Sequence, residues 1–422
     1  MHALEKILAK KASKELVKAG DMVTCEVDLA EINDLYLQVV ESFYEMGGKK
    51  VWDPNKVTFV FDHYAPAPTI KSAANHKEMR EFAKKHNISH LFDINEGVCH
   101  QVMPEAGLVY PGMLLVATDS HTTTHGAFGA FGTGVGATDL ACILISGKLW
   151  FRVPEVMKIE ITGKLKPGVL PKDVILHILG KLGTEAAVYK AVEFTGDTVK
   201  DMDIAGRMVL CNMTVEMGAK TSYIAPDEKT LVYLKSKGVD IENLEIPVTD
   251  SDYKYSDVYK FDVSNLSPQV AIPHSVDNTV PVQDVRGTKV DQVFIGSCTG
   301  GRLEDIQWAY KVLKGKRINK STRLVIIPAS KAVYLEAIKR GYVEALINAG
   351  ATFTAPGCGP CLGTHQGILA PGEVCVTATN RNFPGRMGST SANIYLASPA
   401  TAAACALTGK IVSPQEYITE EA

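Results

Sequence analysis

Three cysteines stand where a metal or a cluster could be gripped. Cys358-Gly359-Pro360-Cys361 puts two thiols three residues apart in a Gly/Pro loop, and Cys298 lies upstream in the Gly-flanked turn Ile295-Gly296-Ser297-Cys298-Thr299-Gly300-Gly301. A CxxC alone serves a redox dithiol, half a zinc site or part of an iron-sulfur site. A thioredoxin-like redox site opens a helix early in a small domain, whereas this pair lies deep in a long chain. Three thiolates is the informative count. A structural zinc ion closes with four ligands, so three leave a position open. A cubane held by three thiolates likewise leaves one iron free to act as a Lewis acid. From spacing alone, an iron-sulfur cluster, a zinc ion and three unrelated thiols all remain open.

Asp62-His63 and Asp119-Ser120-His121 are carboxylate–imidazole sets suited to fixing a tautomer and moving protons. His100, in Gly97-Val98-Cys99-His100-Gln101, has no companion in sequence. Arg381 and Arg386 lie five apart in Asn380-Arg381-Asn382-Phe383-Pro384-Gly385-Arg386. Guanidinium forks grip carboxylates bidentately, so a di- or tricarboxylate would fit them, although two arginines alone more often mark an exposed loop. His2, His76, His86, His90, His177 and His274 read as surface or hydrogen-bonded core residues. Cys25, Cys142, Cys211, Cys375 and Cys405 read as buried, inert thiols. Gly132, Gly134 and Ala137 imitate a dinucleotide fingerprint, but no strand clearly precedes them and no acidic residue follows at the required distance. Tight packing beside the Asp119 turn explains these glycines better.

The elements that must position these groups alternate. Strands are predicted at Lys56 to Phe61, Met113 to Thr118, Gln292 to Ile295, Arg323 to Ile327 and Val374 to Thr377. Helices are predicted at Thr69 to Asn87, Leu303 to Leu313, Lys331 to Arg340 and Tyr342 to Asn348. Such alternation implies mostly parallel, doubly wound sheets, which hold ligands beyond the carboxyl ends of their strands. Asp62-His63, Asp119 to His121 and Ser297-Cys298 all follow strand ends. Three α/β units are expected, at 1–154, 155–278 and 279–422, with the second break closing an irregular, charged stretch from Asp240 to Asn278.

The 422 residues carry 46% hydrophobic side chains, enough for a sizeable core. A net charge of -3 gives no global basic field, which argues against nucleic-acid and membrane-surface partners. Nine cysteines, an odd number without regular spacing, do not form a secreted disulfide framework. The amino-terminal residues lack a signal-peptide pattern and the expected location is cytoplasmic. Met387 to Gly409 carries no charged residue, but its Ser, Thr, Ala, Asn393 and Pro399 suit protein core rather than lipid.

Together, DHYAP at Asp62, GVCHQ at Gly97, TDSHTTTHGAFG at Thr118, CNMTVEMGA at Cys211, GSCT at Gly296, GCGPC at Gly357 and TNRNFPGR at Thr379 closely resemble the aconitase superfamily, in order and along essentially the whole chain. The resemblance implies α/β units around a 4Fe-4S cluster on Cys298, Cys358 and Cys361. It implies that His63, supported by Asp62, handles the departing hydroxyl proton, with His100 paired to Glu216 and Asp119 paired to His121. Ser120, Arg381 and Arg386 would hold substrate, and Asn212 and Asn380 would support the cluster. Only the resemblance selects Glu216 and Asn212. Within the superfamily the chain is similar to the two-chain isomerases of isopropylmalate or homoaconitate, which implies a hydro-lyase whose separate small subunit carries the swivelling domain. A non-catalytic RNA-binding relative is the alternative of another class. Gly300 departs from the family's usual Asn after Cys-Thr.

Overall fold

The computed structural model describes residues 1–418, so the last four residues of the expected third unit lie outside it. Three sheets and one ribbon account for the described strands. The first sheet runs His90–Phe92, Val57–Val60, Leu29–Asn33, Leu114–Ala117, Phe131–Gly134, with every pairing parallel. Its central strands Val57–Val60, Leu29–Asn33 and Leu114–Ala117 are buried at every position, as a sheet covered on both faces requires. Helices Leu37–Glu45, Ile70–Lys85 and Ala137–Ser146 belong to this unit. Thr69 caps the second of them, its hydroxyl accepting from the Ser72 amide at 3.1 Å.

The second sheet, Thr221–Tyr223, Ala191–Thr195, Val156–Thr162, Asp257–Asp262, is also wholly parallel. The third orders Thr279–Pro281, Gln269–Ala271, Asn393–Ala397, Val374–Thr377, Gln292–Ile295, Arg323–Ile326 and Thr352–Phe353. Its two antiparallel pairings involve Gln269–Ala271 and the other four are parallel. The mostly parallel α/β class expected from the sequence is therefore the class observed.

Two differences stand out. Asp257–Asp262 is a strand inside the stretch expected to be irregular. It lies at a sheet edge and alternates exposed with half-buried residues, so its charges masked it. Gln269–Ala271 already pairs within the third sheet, ahead of the expected break at 278. The antiparallel ribbon of Met22–Glu26 with Lys148–Arg152 ties the chain back into the first unit just before 154. Strand Asn393–Ala397 and the buried helix Pro399–Thr408 occupy the Met387 to Gly409 stretch, as core. Among the described residues no helix is long and apolar enough to cross a membrane.

One continuous apolar core takes residues from all three sheets, and Cys298, Cys358 and Cys361 belong to it. The glycines near Asp119 serve packing rather than nucleotide binding. A Cβ on Gly132 would stand 2.4 Å from the Thr122 carbonyl oxygen, and one on Gly134 would stand 2.7 Å from that of Asp119. Gly132→Ala must therefore move backbone. It is expected to lower stability by about 1–3 kcal/mol, more than Gly136→Ala, where φ is -72° and a Cβ meets only the Asp139 carboxylate at 3.7 Å. Thermal unfolding of the two variants checks this, and an equal or larger loss from Gly136→Ala contradicts it.

Candidate active site

The carboxyl ends of three neighbouring strands in the first sheet supply Asn33-Asp34, Asp62-His63 and Asp119 to His121. His63 Nδ1 meets Asp62 Oδ1 at 2.6 Å. Asp62 is itself pinned, since Asn33 Nδ2 donates to Oδ1 at 3.3 Å and the Cys99 amide donates to Oδ2 at 2.9 Å. Asp34 accepts from the His63 amide at 3.0 Å and the Tyr64 amide at 2.8 Å, and His76 Nε2 meets it at 3.0 Å. The imidazole is thus fixed through one nitrogen while the other faces Asp119 Oδ2 at 3.5 Å. Burial opposes charge on His63, but Asp62, the Cys358 thiol and Asp119 outweigh it and hold the imidazole well above the usual histidine range.

Of the two expected pairs, Asp119 with His121 is present, His121 Nδ1 lying 3.4 Å from Asp119 Oδ1, whereas His100 turns to Asp119 instead of Glu216. His100 Nε2 meets Asp119 Oδ1 at 3.1 Å, and His121 Nε2 meets Glu216 Oε1 at 2.8 Å. The backbone fixes this arrangement. Asp119 caps the 3-10 helix Ser120–Phe128 and its Oδ1 accepts the His121 amide at 2.7 Å. The cap holds the His121 ring between two carboxylates, Nδ1 beside Asp119 at 3.4 Å and Nε2 on Glu216 at 2.8 Å. Burial raises the Asp119 carboxyl, but His100, His121 and His63 overcome it and hold the group well below the usual carboxylate range. Glu216, opposed by burial, is held down by His121 and Arg381. Arg381 Nε donates to Glu216 at 2.8 Å and Nη2 donates to Ser120 Oγ at 3.1 Å, so this arginine is no free surface loop.

Two of the three thiols are met by side-chain polar groups. Asn212 Nδ2 reaches Cys298 Sγ at 3.2 Å and Asn380 Nδ2 reaches the same sulfur at 3.4 Å. The Cys361 thiol donates to Asn380 Oδ1 at 3.9 Å, and Arg386 Nη2 donates to Cys361 Sγ at 3.5 Å. The Cys358 amide donates to the Asp62 carbonyl at 2.8 Å, fastening the CxxC loop to the Asp62-His63 turn. All three cysteines are free and buried. Burial, with help from Cys361, pushes the Cys298 thiol up to about 12, and burial likewise pushes Cys358 well up, so a bound cation would be needed to hold them as thiolates.

Sulfurs on one tetrahedral zinc lie ~3.8 Å apart, from Zn–S bonds of about 2.3 Å. Among the described residues the one set of three His, Cys, Asp or Glu ligand atoms all within 4.8 Å of one another is Asp62, His63 and Cys358. Cys298, Cys358 and Cys361 therefore do not wrap a single ion. Three buried sulfurs, spread wider, two of them met by amide or guanidinium donors, fit a larger sulfur-ligated group. Gly300 has no room for the family's asparagine, because a Cβ there would stand 2.3 Å from that of Ala378.

The aconitase family model, described as aconitate hydratase, matches residues 5–287 and 283–409. The chain belongs to the aconitase family. It is 51% identical over 416 residues to a protein of Methanopyrus kandleri named 3-isopropylmalate dehydratase large subunit 1, covering 98% of this chain and 99% of that one. It is 52% identical over 392 residues to a Methanosarcina mazei protein named probable methanogen homoaconitase large subunit, covering 93% and 99%. A crystal structure of Thermococcus kodakaraensis aconitase X, holo-form, shares the fold at a TM-score of 0.51 and 15% identity, over 90% of this chain and 89% of that one.

Asn33, Asp34, Glu31 and Lys172 were not visible as site residues in the sequence. Asn33-Asp34 ends a strand just as Asp62-His63 does, and that placement was the available signal. Cys142 is exposed rather than buried, because it lies on the outer face of helix Ala137–Ser146. Glu31 is fully buried, and neither carboxylate oxygen has a partner; nor does the hydroxyl of Thr58, opposite it in the sheet. Burial, then Asp62 and Asp119, push its carboxyl well above the usual range.

Glu31 therefore stays protonated when the unfolded chain has ionised. Its folded-state pKa is raised, so stability is fully present below the ordinary glutamate value and is lost as pH rises towards the folded value. Glu31→Gln should remove this loss. The variant is expected to gain on the parent by about 1.4 kcal/mol per pH unit above the ordinary value, the gain disappearing at acidic pH. Denaturant unfolding across pH measures it, and a difference independent of pH contradicts it.

Proposed function

We propose that this chain is the catalytic large subunit of a 3-isopropylmalate dehydratase, a hydro-lyase that isomerises 2- and 3-isopropylmalate by removing and returning water. The observation that carries the reading is the meeting of three buried thiols with a protonatable histidine at one junction. His63 Nε2 and the Cys358 loop face the same space, and Asp119, Ser120 and Arg381 border it. The names of the relatives support the substrate and the leucine-pathway role.

Cys298, Cys358 and Cys361 would hold a 4Fe-4S cluster, with Asn212 and Asn380 as donors to the Cys298 sulfur and Arg386 to that of Cys361. Bound there, the cluster supplies a Lewis-acidic iron for the substrate's hydroxyl and an adjacent carboxylate. His63, protonated and held by Asp62, gives its proton to the departing hydroxyl, which leaves as water. On rehydration it takes a proton back from the incoming water. Arg381, steadied by Glu216 and Ser120, grips a substrate carboxylate, and Arg386 lies between the substrate space and Cys361. The base that removes the proton from carbon belongs to a separate small subunit carrying the swivelling domain, in keeping with the large-subunit names of the relatives. The place of action is cytoplasmic.

Homoaconitate is the second substrate reading, favoured by the 52% identity to the Methanosarcina mazei protein. Steady-state kinetics of the chain with its small subunit, after anaerobic loading with iron and sulfide, separates the two. Turnover of isopropylmalate is expected. Activity on homoaconitate with none on isopropylmalate overturns the first reading, and Cys361→Ser is expected to lose the visible cluster absorption.

His63→Asn is expected to lower kcat by about 10²–10⁴-fold with cluster content unchanged. As an acid His63 works only while protonated, so activity falls as pH rises through its raised pKa. Asp62→Asn removes the charge that raises it and should move the alkaline limb of the kcat/KM profile to lower pH. An unmoved limb argues against His63 as the acid.

A further inference from the structure

Lys172 is 1% exposed, at the second position of helix Pro171–Leu182. Its side chain leaves the second unit and ends in the third. Nζ donates to the carbonyl oxygens of Thr379 at 2.5 Å and Ala378 at 3.2 Å, and to Thr299 Oγ1 at 3.4 Å. Three donors meet three neutral acceptors, so the hydrogen bonding of the ammonium is complete. Its charge is not matched. Among the described residues no carboxylate lies within 4.0 Å of it. The adjacent Asp173 is committed elsewhere, accepting from the Leu170 and Gln269 amides, each at 2.8 Å.

An unmatched buried cation is costly unless an opposite charge lies close by. The three acceptors show where that charge belongs. Thr299 follows Cys298 directly, and Thr379 precedes Asn380, the side chain that reaches both Cys298 and Cys361. We propose that Lys172 is the built-in counter-charge of the sulfur site and a positioning residue that sets the reduction potential of the cluster held there. The proposal rests on the cluster reading above.

The electrostatics agree with the placement. Burial pushes the ammonium down to about 8, and the groups that hold it up are Cys298 first, then Asp305, Cys361 and Glu216. Reduction adds one electron to an assembly already made anionic by its thiolates. A nearby fixed cation favours the reduced form, so removing that cation makes the midpoint potential more negative.

The test is a redox titration of the anaerobically loaded chain, followed by electron paramagnetic resonance of the reduced cluster. Lys172→Gln keeps a hydrogen-bond donor and loses the charge, whereas Lys172→Arg keeps the charge. The Gln variant is expected to titrate at a more negative potential than the parent and to lose iron faster to a chelator, with the Arg variant close to the parent. Equal potentials in all three, or a Gln and an Arg variant that shift alike, overturn the proposal. A parent chain that takes up no iron and sulfide defeats the cluster reading itself, which separates the two failures. If the Gln variant does not fold, Lys172→Met, close to the parent in length and adaptable in a covered site, takes its place, and a Met variant with the potential of the parent overturns the proposal.

Discussion

The structure depends on bringing three sulfurs from two separate loops into one buried junction without letting them close on a single ion. Thiols in such a place are costly to ionise, and burial alone pushes Cys298 and Cys358 upward. What makes the junction usable is the ring of donors. Asn380 touches both Cys298 and Cys361, Asn212 adds a second amide to Cys298, and Arg386 adds a guanidinium to Cys361. Those donors come from different units. Asn212 ends a helix of the second, and Asn380 and Arg386 follow a strand of the third. The sulfur site is therefore also what the units are assembled around.

The acid–base groups follow from the same geometry. Parallel strands release their side chains at one end, and three neighbouring strands of the first sheet end in Asn33-Asp34, Asp62-His63 and Asp119. Burial would discharge each group separately. In company they do the reverse, Asp62 keeping His63 protonated and three histidines keeping Asp119 ionised. Two opposite protonation states are thus maintained within 3.5 Å of each other, which is the condition for directional proton transfer.

Much of this was legible in the chain. Gln292–Ile295 and Leu303–Leu313 have the bounds their apolar patterns suggested, because buried parallel strands and amphipathic helices carry strong periodicity. Asp257–Asp262 did not, since an edge strand with charges at alternate positions reads as loop. Closeness in sequence rightly put His121 beside Asp119, but His100 meets Asp119 rather than Glu216, because the cap at Asp119 aims the other nitrogen of His121 at Glu216. Lys172 and Glu31 were beyond sequence reasoning. A lysine near a helix start and a glutamate in a strand look solvated until the surrounding layers are known, and here both are fully covered.

The central claim is that the three thiols bind one multi-iron group with a corner left for a hydroxy-acid. Mössbauer spectroscopy of the chain loaded anaerobically with 57Fe tests it most directly. The account predicts a coupled 4Fe-4S spectrum in which one iron subsite is distinct and changes when isopropylmalate is added with the small subunit. Uncoupled single-ion iron, or four equivalent subsites indifferent to the acid, would contradict it.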